Sequence, residues 1–210
     1  MVKLDEMDTL AGGAKELNLA LDETQLRQLS DYLDLLRLWN IAFNLVSRKD
    51  VDRLVPRHIL DSLTAVPFVR HPSLLDVGSG AGFPGLPIAV ANPSLRVVLL
   101  DRNKRKARFL GQAVKTMGLT NVEVVCEDLK ASSLLGGFET VIARAVAEAE
   151  QLWSLTNHMI SNEGCLLVMQ RTTDQDTIVA DQANIISKSH RVEIPGLKRK
   201  HEILSIERRM

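Results

Sequence analysis

The chain has 210 residues, of which 45% are hydrophobic and 25% are charged. Its 26 basic and 26 acidic residues give a formal net charge of zero, which excludes attraction to nucleic acid through overall charge. This composition is typical of a soluble globular protein with a sizeable core. No stretch has the roughly 18 consecutive apolar residues of a membrane span, and the first residues lack the apolar segment of a signal peptide. A cytoplasmic location is therefore expected.

Apolar residues at helical spacing characterise the beginning of the chain, where they fall at Leu4, Met7, Leu10, Ala14 and Leu17. A second helix is expected to start near Asp22 or Thr24, because both residue types are favoured helix caps. A third helix is expected over residues 54–66. We therefore predict an N-terminal helical extension over residues 1–70, packed on a core domain formed by residues 71–210.

Beyond residue 71 the pattern changes to short apolar runs that alternate with helical segments. Strands are predicted at 74–77, 97–100, 122–126, 141–143 and 165–169, and helices at 84–91, 104–117, 148–160 and 174–186. Two further strands, at 191–194 and 201–208, flank a turn at Pro195-Gly196 and form a hairpin. This order predicts an α/β fold in which helices cover both faces of a mostly parallel seven-stranded sheet, with an antiparallel last strand.

The two cysteines, Cys126 and Cys165, both fall in predicted strands. Buried, reduced thiols are expected there. No cluster of Cys and His has metal-ligand spacing, so a metal site is not expected.

A glycine-rich stretch follows the first predicted strand and precedes a helix. Closely spaced glycines let the backbone lie against a ligand at the end of a strand, beside the positive end of a helix. The glycines fit two patterns: GxGxxG over residues 80–85, which is typical of dinucleotide loops, and DxGxGxG over residues 76–82. The second pattern is similar to the first motif of Rossmann-like methyltransferases.

The acid in the second pattern is Asp76, and its glycines include Gly78 and Gly80. A carboxylate at the entrance of the loop would repel a pyrophosphate, whereas it suits the sulfonium and ammonium groups of S-adenosylmethionine. The loop therefore favours S-adenosylmethionine. A NAD-type oxidoreductase and a tight turn without any ligand stay open as alternatives.

A second acid, Asp101, ends the next apolar run, at the spacing from the loop at which a carboxylate binds both ribose hydroxyls of a nucleoside. Asp101 could equally cap the helix that starts near Asn103. The two roles are compatible. Because a ribose is common to both cofactors, Asp101 does not separate them.

Short segments on both sides of the glycine loop resemble one family. Their order and spacing are similar to the RsmG (GidB) family of bacterial ribosomal RNA methyltransferases: WN at 39–40, FNLVSR at 43–48, RHILDSL at 57–63, LD at 100–101, KR at 104–105, RFL at 108–110 and ARAVA at 143–147. The resemblance spans residues 20–170 and implies a Rossmann-like S-adenosylmethionine-dependent methyltransferase fold. It also implies transfer of a methyl group to N7 of a guanine in small-subunit (16S) ribosomal RNA.

Carried over position by position, the family implies that Gly78 and Phe83 line the cofactor loop. It implies that Leu129 and Lys130 flank the adenine and that Arg144 lies beside the cofactor at the end of the fourth strand. An arginine after an apolar strand is otherwise a solvated strand end or an ion-pair partner.

The chain departs from the family pattern at two places. Asp128-Leu129-Lys130 stands where an Arg-x-Glu-like segment is expected, and Gln170-Arg171 stands where Lys-Gly is typical. These departures suggest an alternative function, a non-catalytic RNA-binding or ribosome-binding module that keeps the methyltransferase fold.

Residues on the substrate side are expected in the N-terminal extension. His58 and Asp61, three apart on a helix, share a face and could form a hydrogen-bonded pair, and Asn44 precedes them. They could also do no more than tie the extension to the sheet. The resemblance favours a place beside the substrate, together with Arg144.

Basic residues gather in three groups that could form a phosphate track if they share one side of the molecule: Arg48, Lys49, Arg53 and Arg57; Lys104, Arg105, Lys106 and Arg108; Lys198, Arg199, Lys200 and His201. The expected partner is small-subunit ribosomal RNA or the ribosomal subunit, with no membrane. A monomer is expected.

Overall fold

The computed structural model of the protein describes residues 4–130, 135–144, 146–171, 184–198 and 200–209. Its α-helices are α1 (Leu4–Glu16), α2 (Glu23–Phe43), α3 (Asp61–Leu63), α4 (Gly85–Ala91), α5 (Lys104–Met117) and α6 (Ala149–Thr156). Its strands are β1 (Ser73–Val77), β2 (Arg96–Leu100), β3 (Val122–Val125), β4 (Phe138–Arg144), β5 (Ile160–Arg171), β6 (Ile185–Glu193) and β7 (Lys200–Arg208).

The strands form one seven-stranded sheet in the order β3-β2-β1-β4-β5-β7-β6. Neighbours from β3 to β5 are parallel, and β7 is antiparallel to both β5 and β6. The predicted fold class is therefore confirmed. The strand order reverses between β1 and β4, and in sheets of this kind ligands bind outside the carboxyl ends of the strands at that point.

Both faces of the sheet are covered, as the continuous apolar runs predicted. Along β1, Leu74 packs into one hydrophobic cluster and Leu75 into the other. The first cluster also contains Tyr32 of α2 and Phe109 of α5, so the N-terminal helices share a core with the sheet. The division into residues 1–70 and 71–210 stays a prediction. Within the described ranges, no helix has the length and apolar character needed to cross a membrane.

Helix α2 begins where its sequence predicts. The Asp22 side chain accepts a hydrogen bond from the Gln25 backbone N–H, and the Gln25 side chain accepts one from Asp22. This capping box satisfies two backbone donors that a helix start leaves unpaired.

The segment predicted as one helix over residues 54–66 is helical up to Leu63, but it is not a single regular α-helix. A 3-10 helix over Arg48–Arg53 leads into a π-helix over Val55–Leu60, which continues into α3. Pro56 lies in the first turn of the π-helix, where the missing amide hydrogen of a proline costs no hydrogen bond.

The end of the chain also differs from its prediction. Most of the helix predicted over 174–186 lies outside the described residues, but Ile185 and Ile186 begin β6, which pairs with β7 along its whole length. The cross-strand hydrogen bonds extend this strand well before residue 191. Cys165 is buried as predicted, whereas Cys126 is exposed because β3 ends one residue before it.

Candidate functional site

The glycine loop leaves β1 and turns tightly under the end of β2. The backbone N–H groups of Gly78 and Ser79 both donate to the Leu100 carbonyl oxygen. Gly78 has a φ of +69°, and a Cβ there would lie 2.9 Å from a methyl group of Val146. Gly80 has a φ of +61°, with no atom closer than 3.7 Å to a Cβ built on it. Position 78 thus requires glycine for conformation and space, and position 80 requires it for conformation.

Asp101 connects the glycine loop to the end of β2. Its Oδ2 accepts a hydrogen bond from the Gly80 N–H at 2.9 Å, and its Oδ1 accepts one from the Asn103 N–H at 2.8 Å. The α5 cap is Asn103, whose side chain accepts from the backbone of Arg105 and Lys106. Each Asp101 oxygen keeps a further lone pair for a ligand hydroxyl.

Asp76 lies beneath the loop and is completely buried. Its Oδ2 accepts a hydrogen bond from the Gly85 N–H at 2.9 Å, at the start of α4. Burial raises the pKa of Asp76 to about 7, although the hydrogen bond from Gly85 opposes this shift. The carboxylate therefore supports the loop from within, and its contact with cationic groups of a cofactor stays a prediction.

Helix α2 holds the other side of the loop through Tyr32. The buried Tyr32 hydroxyl donates to the Ala81 carbonyl oxygen, and its ring lies 5.4 Å from that of Phe83. The N-terminal helices therefore fix the backbone of the loop directly.

Arg144, the last residue of β4, brings the predicted substrate-side residues together. Its Nη1 donates to Asp61 Oδ2 at 2.9 Å, and its Nη2 lies 3.1 Å from His58 Nδ1. The guanidinium is 5.2 Å from the centre of the Phe83 ring, on which the His58 imidazole also stacks at 4.8 Å. His58 and Asp61 thus meet through Arg144 rather than as the pair that their spacing predicted.

The hydrogen bond from Arg144 defines the protonation of His58. A guanidinium can only donate, so Nδ1 is the acceptor and the proton of the neutral imidazole is on Nε2. Burial, and then the Arg144 charge, lower the pKa of His58 to about 4. Among the described residues the buried Nε2 atom has no hydrogen-bond partner, and Asp50 Oδ2 is 3.8 Å away. His58 therefore offers a neutral N–H donor.

A cavity of about 980 Å³ opens beside this cluster. His58, Asp61 and Arg144 line it, while Gly80 and Asp101 are not among its lining residues. Its other polar walls come from Asp50, Arg53, Arg57, Glu148, Gln170, Lys198, His201 and Glu202, and apolar walls from Val146, Val168 and Met169. Its walls therefore combine basic, acidic and apolar side chains.

Other predicted residues lie apart from this cavity. Asn44 is exposed and caps the end of α2 with a φ of +48°. Leu129 packs against the second hydrophobic cluster, and Lys130 is exposed. In the ranges that the structure describes, no three His, Cys, Asp or Glu side chains are arranged to hold a metal ion.

Each of the three basic groups supplies a residue near the site. Arg53 and Arg57 come from the first group and Lys198 from the third, and all line the cavity. Lys106, from the second group, has its Nζ 4.0 Å from Asp101 Oδ2. From the sequence, Asp50 had no assigned role and His201 was only one member of the third basic group, because both lie within runs of charged residues.

Comparison with known proteins agrees with the geometry. The profile of the GidB family, described as rRNA small subunit methyltransferase G, matches residues 25–205. A ribosomal RNA small subunit methyltransferase G from Pseudomonas aeruginosa (strain LESB58) is 37% identical over 203 residues, covering 96% of this chain and 95% of the relative. Its counterpart from Neisseria meningitidis serogroup C is 35% identical over 208 residues, covering 98% of this chain and 100% of the relative.

Solved structures share the fold. A SAM-dependent methyltransferase from Aquifex aeolicus has a TM-score of 0.56 at 16% identity, covering 74% of this chain and 92% of that one. A mutant of MtNAS in complex with S-adenosylmethionine has a TM-score of 0.58 at 13% identity, covering 99% of both chains. With the profile match over most of the chain, these similarities lead to one conclusion: the protein belongs to the GidB family, rRNA small subunit methyltransferase G.

Proposed function

We propose that the protein transfers a methyl group from S-adenosylmethionine to N7 of a guanine in small-subunit ribosomal RNA. One observation carries the proposal: Phe83 belongs to the glycine loop and is also the ring on which Arg144 and His58 meet at the edge of the cavity. A methyl donor on the loop and a base in the cavity would approach each other there. Membership of the GidB family supports the reaction and argues against the oxidoreductase alternative.

The loop residues fit S-adenosylmethionine. Asp101 has free lone pairs for the two ribose hydroxyls. Gly78 would lie along the cofactor, and backbone groups of Leu129 and Lys130 would flank the adenine. When bound, the cofactor supplies a methyl carbon activated by a positive sulfur.

The substrate side fits a reaction that needs alignment rather than a base. N7 of guanine is an unprotonated nucleophile, so no side chain has to remove a proton. The protein must hold the base outside its stack, in line with the methyl group. The Arg144 guanidinium can donate to the O6 atom or to a phosphate, and Arg53, Arg57 and Lys198 add positive charge for the RNA backbone. The cytoplasmic location and the monomeric state expected from the sequence are compatible with this substrate.

Loss of the Tyr32 hydroxyl should weaken cofactor binding from a distance. Tyr32→Phe leaves the Ala81 carbonyl oxygen without its partner, and we expect affinity for S-adenosylmethionine to fall about fivefold, since a hydrogen bond contributes ~1 kcal/mol. Titration calorimetry measures this affinity. Gln28→Leu is the matched control, because it removes a bond from α2 to the Met117 carbonyl and not to the loop. Equal weakening in both variants would contradict a specific role for Tyr32.

His58→Ala should lower the rate of RNA methylation more than it lowers the affinity for S-adenosylmethionine. We expect the rate of RNA methylation to fall about tenfold, corresponding to ~1.4 kcal/mol, with affinity for S-adenosylmethionine changed less than about twofold. Methylation kinetics and calorimetry give the two quantities. His158→Ala, at an exposed position, controls for loss of an imidazole. A parallel loss of both quantities would assign His58 a structural role.

The proposed reaction is tested with methyl-labelled S-adenosylmethionine and small-subunit ribosomal RNA from cells that lack the homologous enzyme. Naked RNA and assembled small subunits are assayed in parallel, and the nucleosides are then analysed. Label in 7-methylguanosine is the expected result, and RNA affinity should fall steeply with added salt. Cofactor binding without label in either substrate would support the non-catalytic RNA-binding alternative.

A further inference from the structure

The C-terminal hairpin formed by β6 and β7 reaches the cluster around Arg144. His201, near the start of β7, has its Nδ1 atom 3.1 Å from Asp61 Oδ1. Arg144 Nη1 donates to the other oxygen, Oδ2, at 2.9 Å. The Asp61 carboxylate, with 6% of its side chain exposed, thus lies between two groups that come from different strands.

This arrangement has a mechanical consequence for Arg144. A carboxylate held at one oxygen can rotate about its terminal bond, whereas contacts at both oxygens define its plane. Asp61 Oδ1 has no hydrogen-bond partner in the described ranges, and His201 Nδ1 approaches it at ion-pair distance, 3.1 Å, without hydrogen-bond geometry. His201 is therefore the group available to hold the Oδ1 side of the Asp61 carboxylate. The plane of this carboxylate in turn determines where the Arg144 guanidinium lies over the Phe83 ring.

We propose that His201 is a positioning residue, which acts through Asp61 to hold Arg144 at the edge of the cavity. The inference rests on the proposed function. It adds that the site includes a residue of the β6–β7 hairpin as well as residues of the parallel part of the sheet. The Arg144 guanidinium contacts the substrate, and His201 determines its orientation. Loss of His201 should then slow the methyl-transfer step, because the geometry of the bound base depends on Arg144.

The first test compares His201→Ala with His201→Asn. An asparagine amide can keep a polar N–H group near Asp61 Oδ1, so His201→Asn should keep most of the activity. For His201→Ala we expect kcat for RNA methylation to fall about tenfold with affinity for S-adenosylmethionine unchanged. His190→Ala is the matched control, since His190 is on the same hairpin but contacts Ser205 and Phe68. Wild-type kcat in His201→Ala, or equal losses in the alanine and asparagine variants, would overturn the proposal.

The second test is a double-mutant cycle with Asp61→Asn. If His201 acts through Asp61, adding His201→Ala to Asp61→Asn should lower kcat no further, whereas a full additional loss would show an independent role. The same four proteins are compared by urea unfolding, which does not depend on activity. Non-additive changes in unfolding free energy are expected, and additive changes would overturn the His201–Asp61 interaction. If the wild-type protein itself fails to methylate RNA, the proposed reaction is at fault, and the unfolding cycle still decides this inference.

Discussion

Arg144→Ala should lower the rate of RNA methylation by about two to three orders of magnitude, the range observed when a preorganised charged donor is removed from an active site. Arg144 links Asp61 and His58 over the Phe83 ring, so its loss removes both the donor and the geometry around it. Affinity for S-adenosylmethionine should change much less, because Arg144 lines the cavity, whose lining includes neither Gly80 nor Asp101. Single-turnover methylation and calorimetry measure the two effects.

The position of Arg144 also changes what is expected for stability. A solvated arginine at a strand end would leave the melting temperature of Arg144→Ala nearly unchanged. The structure instead shows a pair with Asp61 in which 18% and 6% of the side chains are exposed, and removing one partner leaves a buried charge. The melting temperature of Arg144→Ala should therefore fall along with its methylation activity.

A double variant separates the two effects of losing Arg144. Arg144→Ala combined with Asp61→Asn removes the buried charge, and it should regain much of the stability without regaining activity. Recovery of methylation in the double variant would show that the loss in Arg144→Ala came from destabilisation alone.

Asp76→Asn should remove a pH-dependent loss of stability. Burial raises the pKa of Asp76 from 3.8 to about 7, so between these values the folded protein holds a proton that the unfolded chain has released. The contribution of Asp76 to the free energy of unfolding is fully present below pH 3.8 and declines as the pH rises towards 7. Each pKa unit corresponds to about 1.4 kcal/mol, so the decline amounts to at most about 4 kcal/mol. Asparagine does not ionise, so the Asp76→Asn variant should not show this decline in stability.

The pH dependence of the unfolding free energy has to be compared between variants, because His58 changes it in the opposite direction to Asp76. Its pKa is lowered to about 4, so its contribution to stability falls as pH drops below 6.5. The two trends oppose each other in the wild type. Urea unfolding of wild type, Asp76→Asn and the exposed control Asp8→Asn from pH 4.5 to 8 should show Asp76→Asn gaining relative to the other two as pH rises. Parallel curves for all three proteins would contradict a buried, protonated Asp76.

The fold could be predicted from the sequence because its signals are local. The cap at Asp22, the apolar runs of β1 and β2 and the glycines after β1 each act over a few residues. Prediction failed where distant contacts decide the conformation. The strand β6 begins at Ile185 because it pairs with β7, and a nine-residue strand whose residues are mostly exposed has only a weak apolar pattern.

The candidate site was predictable by residue but not by arrangement. His58, Asp61 and Arg144 were identified, yet their connection through one guanidinium depends on contacts between residues more than 80 positions apart. The approach of His201 to Asp61 requires the hairpin to fold back on the sheet. A sequence pattern also cannot show that Asp76 is completely buried, which determines the pKa of its carboxyl group.

Phe83 has a consequence for the thermodynamics of binding. The ring is part of the loop proposed for the cofactor and also contacts His58 and Arg144, so a shift of the loop on binding one ligand changes the surface offered to the other. Such coupling is reciprocal at equilibrium: the factor by which the cofactor alters RNA affinity equals the factor by which RNA alters cofactor affinity. A change at Phe83 that alters this factor would therefore alter it equally for the two ligands.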